Sequence, residues 1–190
     1  MKNILVLNGN PKPNSFAHQI SDTYQIEARE HLAVRRINLA EMTFNPDLSH
    51  GYDEPLPLEE SLQAFQQAVL WADHIVVIAP VWWGGIPAKL KGMFDRAFLP
   101  GFAFSYEGDN PEPKQLLAGK TSRIFLTMDA PMEFADEQAL PVLEQLNRFT
   151  LEFCGIKNIG ISLFGSVIMS DDKQRDHWLT ETKLAATQDC

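Results

Sequence analysis

The residues best suited to chemistry fall in two short segments. The first is Asn8-Gly9-Asn10-Pro11-Lys12-Pro13-Asn14-Ser15-Phe16, between an apolar run and an amphipathic stretch. It brings backbone N–H groups, a capping side chain at Asn14, the Ser15 hydroxyl and one cation, Lys12, to a helix start. Such a combination binds a phosphate without any overall positive charge. It is neither GxGxxG nor a triphosphate loop, since Gly9 stands alone and no GK[ST] follows. The same residues also read as a polar turn with a helix cap. The second segment is Pro80-Val81-Trp82-Trp83-Gly84-Gly85-Ile86-Pro87-Ala88. Consecutive extended residues point to opposite sides, so one indole can enter the core while the other faces outward. A planar aromatic wall beside bare glycine backbone suits a flat ring system such as isoalloxazine. A core aromatic pair is the competing reading. Pro87 suits the first turn of the helix that follows.

Other reactive residue types form no recognisable constellation. His18, His31, His50, His74 and His177 lack HxxH or HExxH spacing and are expected at solvated positions. Ser15 lies in no GxSxG elbow. Cys154 and Cys190 form no CxxC pair. Asp53, Glu54, Glu59 and Glu60 read as a solvated loop and helix start, and Trp178 as packing. No metal site is expected.

The elements that must position these loops alternate between short apolar runs and amphipathic stretches, the pattern of βαβ units. Strands are expected at Ile4–Leu7, Val34–Leu39, His74–Ala79, Ile124–Met128 and Ile159–Phe164. Helices are expected from Phe16, Ile20 and Tyr24, from Leu58, Leu62, Phe65 and Val69, and over Ala88–Phe98. A fourth follows from Leu143, Leu146, Phe149 and Phe153, stopped by Gly155. The last opens at Ser170 as N-cap, with Asp171 and Asp172 behind it. Long loops fall at 41–57 and 100–119. Five strands fit one open, doubly wound α/β domain and are too few for an eight-stranded barrel. Ligands of such sheets sit beyond the carboxyl ends of the strands, here the loops after the first, third and fourth.

Composition narrows the partners. The 190 residues are 45% hydrophobic and 22% charged, ordinary for a globular domain. With 16 basic and 25 acidic side chains the formal charge is −9, and no basic run can track a nucleic-acid backbone. No apolar run matches a signal region or a membrane span, so cytoplasmic residence without membrane insertion is expected.

The segment from Pro80 through Ala88 and on through Lys89-Leu90-Lys91-Gly92-Met93-Phe94-Asp95-Arg96 resembles the hallmark of the NAD(P)H:quinone oxidoreductase and modulator of drug activity B family. Gly101-Phe102-Ala103-Phe104, Leu116-Leu117-Ala118-Gly119-Lys120 and the first loop match further blocks in family order, over nearly the whole chain. The resemblance implies a flavodoxin-like fold with a five-stranded parallel sheet in order 2-1-3-4-5 and helices on both faces. It also implies a homodimer with active sites at the subunit interface, and two-electron transfer from NAD(P)H through a flavin to a quinone-like acceptor. FMN is favoured over FAD, because a phosphate loop is readable and an adenine pocket is not. Ser15, Phe16 and Ala17 would surround the flavin phosphate, with Asn10 and Lys12 nearby. Pro80, Val81, Trp82, Trp83 and Gly84 would lie along the ring, joined by Thr127, Met128 and Asp129.

Two departures stand out. Ala17 occupies a position where many members have asparagine. Thr127-Met128-Asp129-Ala130-Pro131 replaces a Thr-x-Gly-Gly type loop, and the tyrosine and histidine that assist hydride transfer in vertebrate members have no counterpart. No catalytic residue is therefore assigned. Asp129 suits either a flavin ring N–H or the cap of the next turn. A flavodoxin-type electron carrier and a flavoprotein subunit of a membrane transporter are the alternative functions.

Overall fold

The computed structural model describes residues 2–54, 56–108 and 110–190. Strands β1 (Asn3–Asn8), β2 (Ala33–Asn38), β3 (His74–Pro80), β6 (Thr121–Thr127) and β7 (Lys157–Phe164) form one sheet in order β2-β1-β3-β6-β7. Every neighbouring pair in it is parallel. The intervening β4 (Phe104–Ser105) and β5 (Lys114–Gln115) make a separate antiparallel ribbon. Leaving the ribbon aside, the order is the expected 2-1-3-4-5.

Period-two alternation along the inner strands builds the two cores. On one face Leu5, Leu7, Val77 and Ala79 pack with side chains of α2 (Glu60–Trp71), α3 (Ala88–Ala97) and α4 (Ala135–Leu143). On the other Ile4, Val6, Val76 and Ile78 meet Ile20 and Tyr24 of α1 (Phe16–Arg29) and Trp178 and Ala185 of α5 (Asp172–Asp189). All seven residues of β3 are buried, which explains its uninterrupted apolar run. Trp178 stacks on Phe164 with ring centroids 5.3 Å apart, a packing role as expected.

Four local expectations are corrected. The fourth helix is not continuous: α4 carries Pro141 and passes into a π-helical stretch at Glu144–Leu151 and a 3-10 turn at Glu152–Cys154. The wider π turn breaks the 3.6-residue stripe, so Leu146 stays buried while Phe149 faces solvent. Gly155 ends it at φ 94°, as a left-handed cap requires. The cap of α5 is Asp171, whose carboxylate accepts from the Gln174 amide at 2.8 Å, not Ser170. Glu59 pairs with the buried Arg96 guanidinium at 3.0 Å, whereas Asp53, Glu54 and Glu60 are exposed as expected.

The fourth correction is His74, which is fully buried rather than solvated. It opens β3 beside a buried polar cluster at the N-terminal edge of the sheet. Asp189, from the end of α5, receives Arg123 Nε and Nη2 at 2.6 and 2.9 Å and the Tyr24 hydroxyl at 2.7 Å. His74 Nε2 lies 3.3 Å from the same carboxylate, and its Nδ1 is 2.8 Å from Thr121 Oγ1. Burial alone pushes the Asp189 carboxyl up, but contacts with His74, Arg123 and Tyr24 outweigh it and hold the group well below the usual carboxylate range. Burial and the adjacent carboxylate push the Tyr24 phenol up. Arg123 crosses Gly160 of β7, where a Cβ would clash with its guanidinium.

Candidate functional site

The loop after β1 is shaped by its own side chains. Asn8 Oδ1 accepts from the Asn10 amide at 3.2 Å, and Asn10 Oδ1 accepts from the Lys12 amide at 2.9 Å. Gly9 donates to the Ile78 carbonyl at 2.7 Å and packs so tightly that a Cβ would lie 2.7 Å from Leu90. Its lack of a side chain serves this close approach. Asn14 is not the cap of α1. It sits at φ 57°, a left-handed turn that asparagine tolerates, and hands the N-cap position to Ser15 in extended backbone. No side chain caps the first turn of α1. The Ser15 hydroxyl is itself buried without a hydrogen-bond partner. A buried orphan hydroxyl is costly unless something completes it. The first-turn amides beside it lie at the positive end of the helix dipole.

The loop after β3 reverses instead of extending. Val81 donates to the Thr127 carbonyl at 2.8 Å, and Trp82 and Gly85 exchange reciprocal backbone bonds, both 2.9 Å. The two residues between them, Trp83 and Gly84, sit at φ 54° and 67°. Positive φ at both central positions is the type I′ pattern. Neither indole is therefore buried in the core, because divergence of neighbours holds for extended chain only. Trp82 is 46% exposed and Trp83 is fully exposed.

The loop after β6 is laced to the loop after β7. Met128 donates to Phe164 at 2.9 Å, Val167 to Met128 at 3.1 Å and Ser166 to Ala130 at 2.8 Å. Asp129 Oδ1 accepts from the Ile168 amide at 3.0 Å. Its carboxylate thus steadies the short turn at Val167–Met169, not the turn that follows Asp129 itself.

A cavity of about 400 Å³ opens where these loops meet, at the carboxyl ends of β1, β3 and β6. Asn10, Lys12, Ser15, Phe16, Ala17, Pro80, Val81, Trp82, Thr127, Met128 and Asp129 all line it. Trp83 and Gly84, expected there too, stand outside the lining because the reversal carries them away. Asn14, Val167, Ile168 and Arg175 complete the wall. The loop after the fifth sheet strand was not among the expected sites, and Arg175 is one arginine in an unremarkable helical stretch. Only the fold brings them here. Among the described residues no cluster of His, Cys, Asp or Glu could hold a metal ion.

An open parallel sheet with a cavity at its strand ends and an uncapped helix pointing into it defines an α/β protein built to bind a phosphorylated cofactor. The chain belongs to the family with a flavodoxin-like fold, which matches residues 2–185. It is 34% identical to an uncharacterized NAD(P)H oxidoreductase of Haemophilus influenzae, over 97% of this chain and 96% of that one. An FMN-dependent NADH:quinone oxidoreductase 1 of Idiomarina loihiensis is 29% identical over 85% and 86% of the two chains. The crystal structure of Smu.1420 from Streptococcus mutans superposes with a TM-score of 0.79 at 26% identity, covering 98% of both chains.

Proposed function

We propose that this chain is a flavin-dependent NAD(P)H oxidoreductase that passes two electrons to a quinone or similar small aromatic acceptor. The observation that carries the reading is the unpartnered, buried Ser15 hydroxyl at the uncapped start of α1, in the same cavity as Trp82. One end offers donors to an anion and the other an aromatic flank. The volume lies within the range of small-molecule and cofactor sites, roughly 300–1,000 Å³. These residues fit FMN, and FAD shares the same flavin and first phosphate.

Bound there, a flavin supplies reversible acceptance of hydride from NAD(P)H and its return to an acceptor. The chain's own part is placement. Ser15 and the first amides of α1, with Lys12 nearby, would hold the phosphate. Pro80, Val81 and Trp82 would line one side of the ring, and Thr127, Met128 and Asp129 another. A single flank beside Trp82 has to serve donor and acceptor in turn, which makes ping-pong kinetics the expected pattern. No side chain is required as nucleophile or proton donor.

Two further parts of the reading rest on surface features. A homodimer is supported by the fully exposed Trp83 and by an aromatic groove of about 570 Å³ in which Tyr52, Tyr106 and Phe149 are exposed. Exposed aromatic area of this kind marks an interface. Cytoplasmic residence is supported by two unpaired cysteines, as expected in a reducing compartment. No helix among the described residues is long and apolar enough to cross a membrane.

The test is anaerobic mixing of the flavin-loaded protein with NADPH or NADH, followed by a quinone. Rapid bleaching, recovery of colour on adding quinone, and parallel double-reciprocal plots are expected. Flavin that stays oxidised would leave an electron carrier in place of an enzyme.

A further inference from the structure

The short turn Val167–Met169 separates two opposite charges at the cavity wall. Its Ile168 amide donates to Asp129 Oδ1 at 3.0 Å, while its Val167 carbonyl faces Arg175 Nη2 at 3.4 Å. Among the described residues the two side chains form no ion pair, and Lys12, the other cation of the wall, pairs with no carboxylate either. Asp129 is the one acid lining the cavity.

This acid is held in place on both sides. Val167 donates to the Met128 carbonyl at 3.1 Å and Ser166 to the Ala130 carbonyl at 2.8 Å, so the residues flanking Asp129 are pinned. Its own Oδ1 is spent on the Ile168 amide. Among the described residues Oδ2 has no protein donor, and the side chain is exposed. A ligand that fills a cavity displaces solvent from its walls, and a charge there is screened less than in water. The carboxylate is also a departure from the Thr-x-Gly-Gly loop that this segment replaces, so the charge is no part of that shared pattern.

Reduction by hydride brings two electrons with one proton, and therefore one negative charge, into the cavity. Passing the pair to a quinone, with a second proton taken from solvent, removes that charge again. We infer that Asp129 is an electrostatic tuning residue, whose fixed negative charge lowers the reduction potential of the bound flavin and favours release of the electron pair over its uptake. The inference rests on the flavin reading above and adds the direction in which this chain biases that site. Ser15 and the first amides of α1 have no part in it.

The test is anaerobic spectroelectrochemical titration of the FMN-loaded protein at neutral pH, for the wild type, Asp129→Asn and Asp129→Ala. Asparagine keeps an oxygen for the Ile168 amide and loses only the charge, whereas alanine loses both. A unit charge at the wall of a protein site changes the ratio of reduced to oxidised flavin by roughly tenfold. For a two-electron couple that is a rise of about 30 mV in both variants. Thermal unfolding should separate them, with Asp129→Ala the less stable because the turn loses its anchor. An unchanged potential in Asp129→Asn would overturn the inference, whether or not Asp129→Ala shifts, and would leave Asp129 a residue that holds the turn. Weaker binding of oxidised FMN by Asp129→Asn at an unchanged potential would overturn it too, in favour of a plain contact to the ring. Wild-type protein that takes up no flavin removes the reading beneath the inference, and the inference with it.

Discussion

Asp189→Asn should be among the most damaging single changes in this protein, although the residue lies at the far edge of the sheet from the cavity. Its side chain is 1% exposed, and the carboxylate receives two bonds from Arg123 and one from Tyr24. The amide of asparagine cannot accept this set, and it leaves the Arg123 guanidinium, itself only 8% exposed, without its counter-charge. Removing one partner of a buried ion pair costs about 3–5 kcal/mol. Set against a typical total of about 5–15 kcal/mol, that is a large share. At roughly 2–4 °C per kcal/mol for a chain of this size, the melting temperature should fall by about 6–20 °C. The assay is urea and thermal unfolding of wild type, Asp189→Asn, Arg123→Met and the apolar double variant Arg123→Met/Asp189→Leu. The double variant should be far less damaged than the sum of the singles, because no charge is then stranded. The pH dependence has a definite sign. Asp189 is depressed in the folded state, so its contribution is fully present above the unfolded value of about 3.9 and fades as pH falls through the folded value. The gap between wild type and Asp189→Asn should therefore narrow in acid. A loss under about 1 kcal/mol at neutral pH, against the value expected for a buried pair, would refute the reasoning.

The remaining predictions concern thiols, the turn and the sheet. Burial pushes the Cys154 thiol up to about 12, so a thiol reagent at pH 8 should label native protein at Cys190 alone and reach Cys154 only on unfolding; equal labelling of both in the native state would contradict this. Trp83→Gly removes a left-handed, non-glycine residue and should stabilise the isolated subunit by about 1 kcal/mol. Sedimentation should at the same time show weaker dimerisation, and an unchanged dimer would remove Trp83 from the interface. Gly160→Ala should cost about 1–3 kcal/mol in urea unfolding through its clash with Arg123; a neutral result would mean the guanidinium moves freely.

What could be read from the sequence follows from how local each signal is. Strands buried on both faces announce themselves as apolar runs, so Ile4–Leu7 and His74–Ala79 fall inside β1 and β3. The two-residue strands β4 and β5 are too short to carry any period, so in the sequence their ribbon reads as loop. Caps shifted by one residue at Ser15 and Asp171, since adjacent Asn, Ser and Asp compete for the same role and only backbone dihedrals decide. His74 looked solvated because its partners come from β6 and from the end of α5, and no spacing rule links them. Cavity residues in motif loops were legible at Ser15, Trp82 and Thr127. Val167, Ile168 and Arg175 were not, because strand order alone sets the loop after β7 beside the loop after β6. The Trp82-Trp83 pair misled for a different reason: the following glycines allow a tight reversal, and reversed chain does not obey the alternation of a strand.

The most direct check of the central claim is the absorption spectrum of the purified protein, with the mass of whatever denaturation releases. A yellow protein carrying about one flavin per subunit, released as FMN or FAD, is the predicted result, with riboflavin a poor substitute on reconstitution. Colourless protein that takes up neither FMN nor FAD when they are supplied would contradict the account at its root.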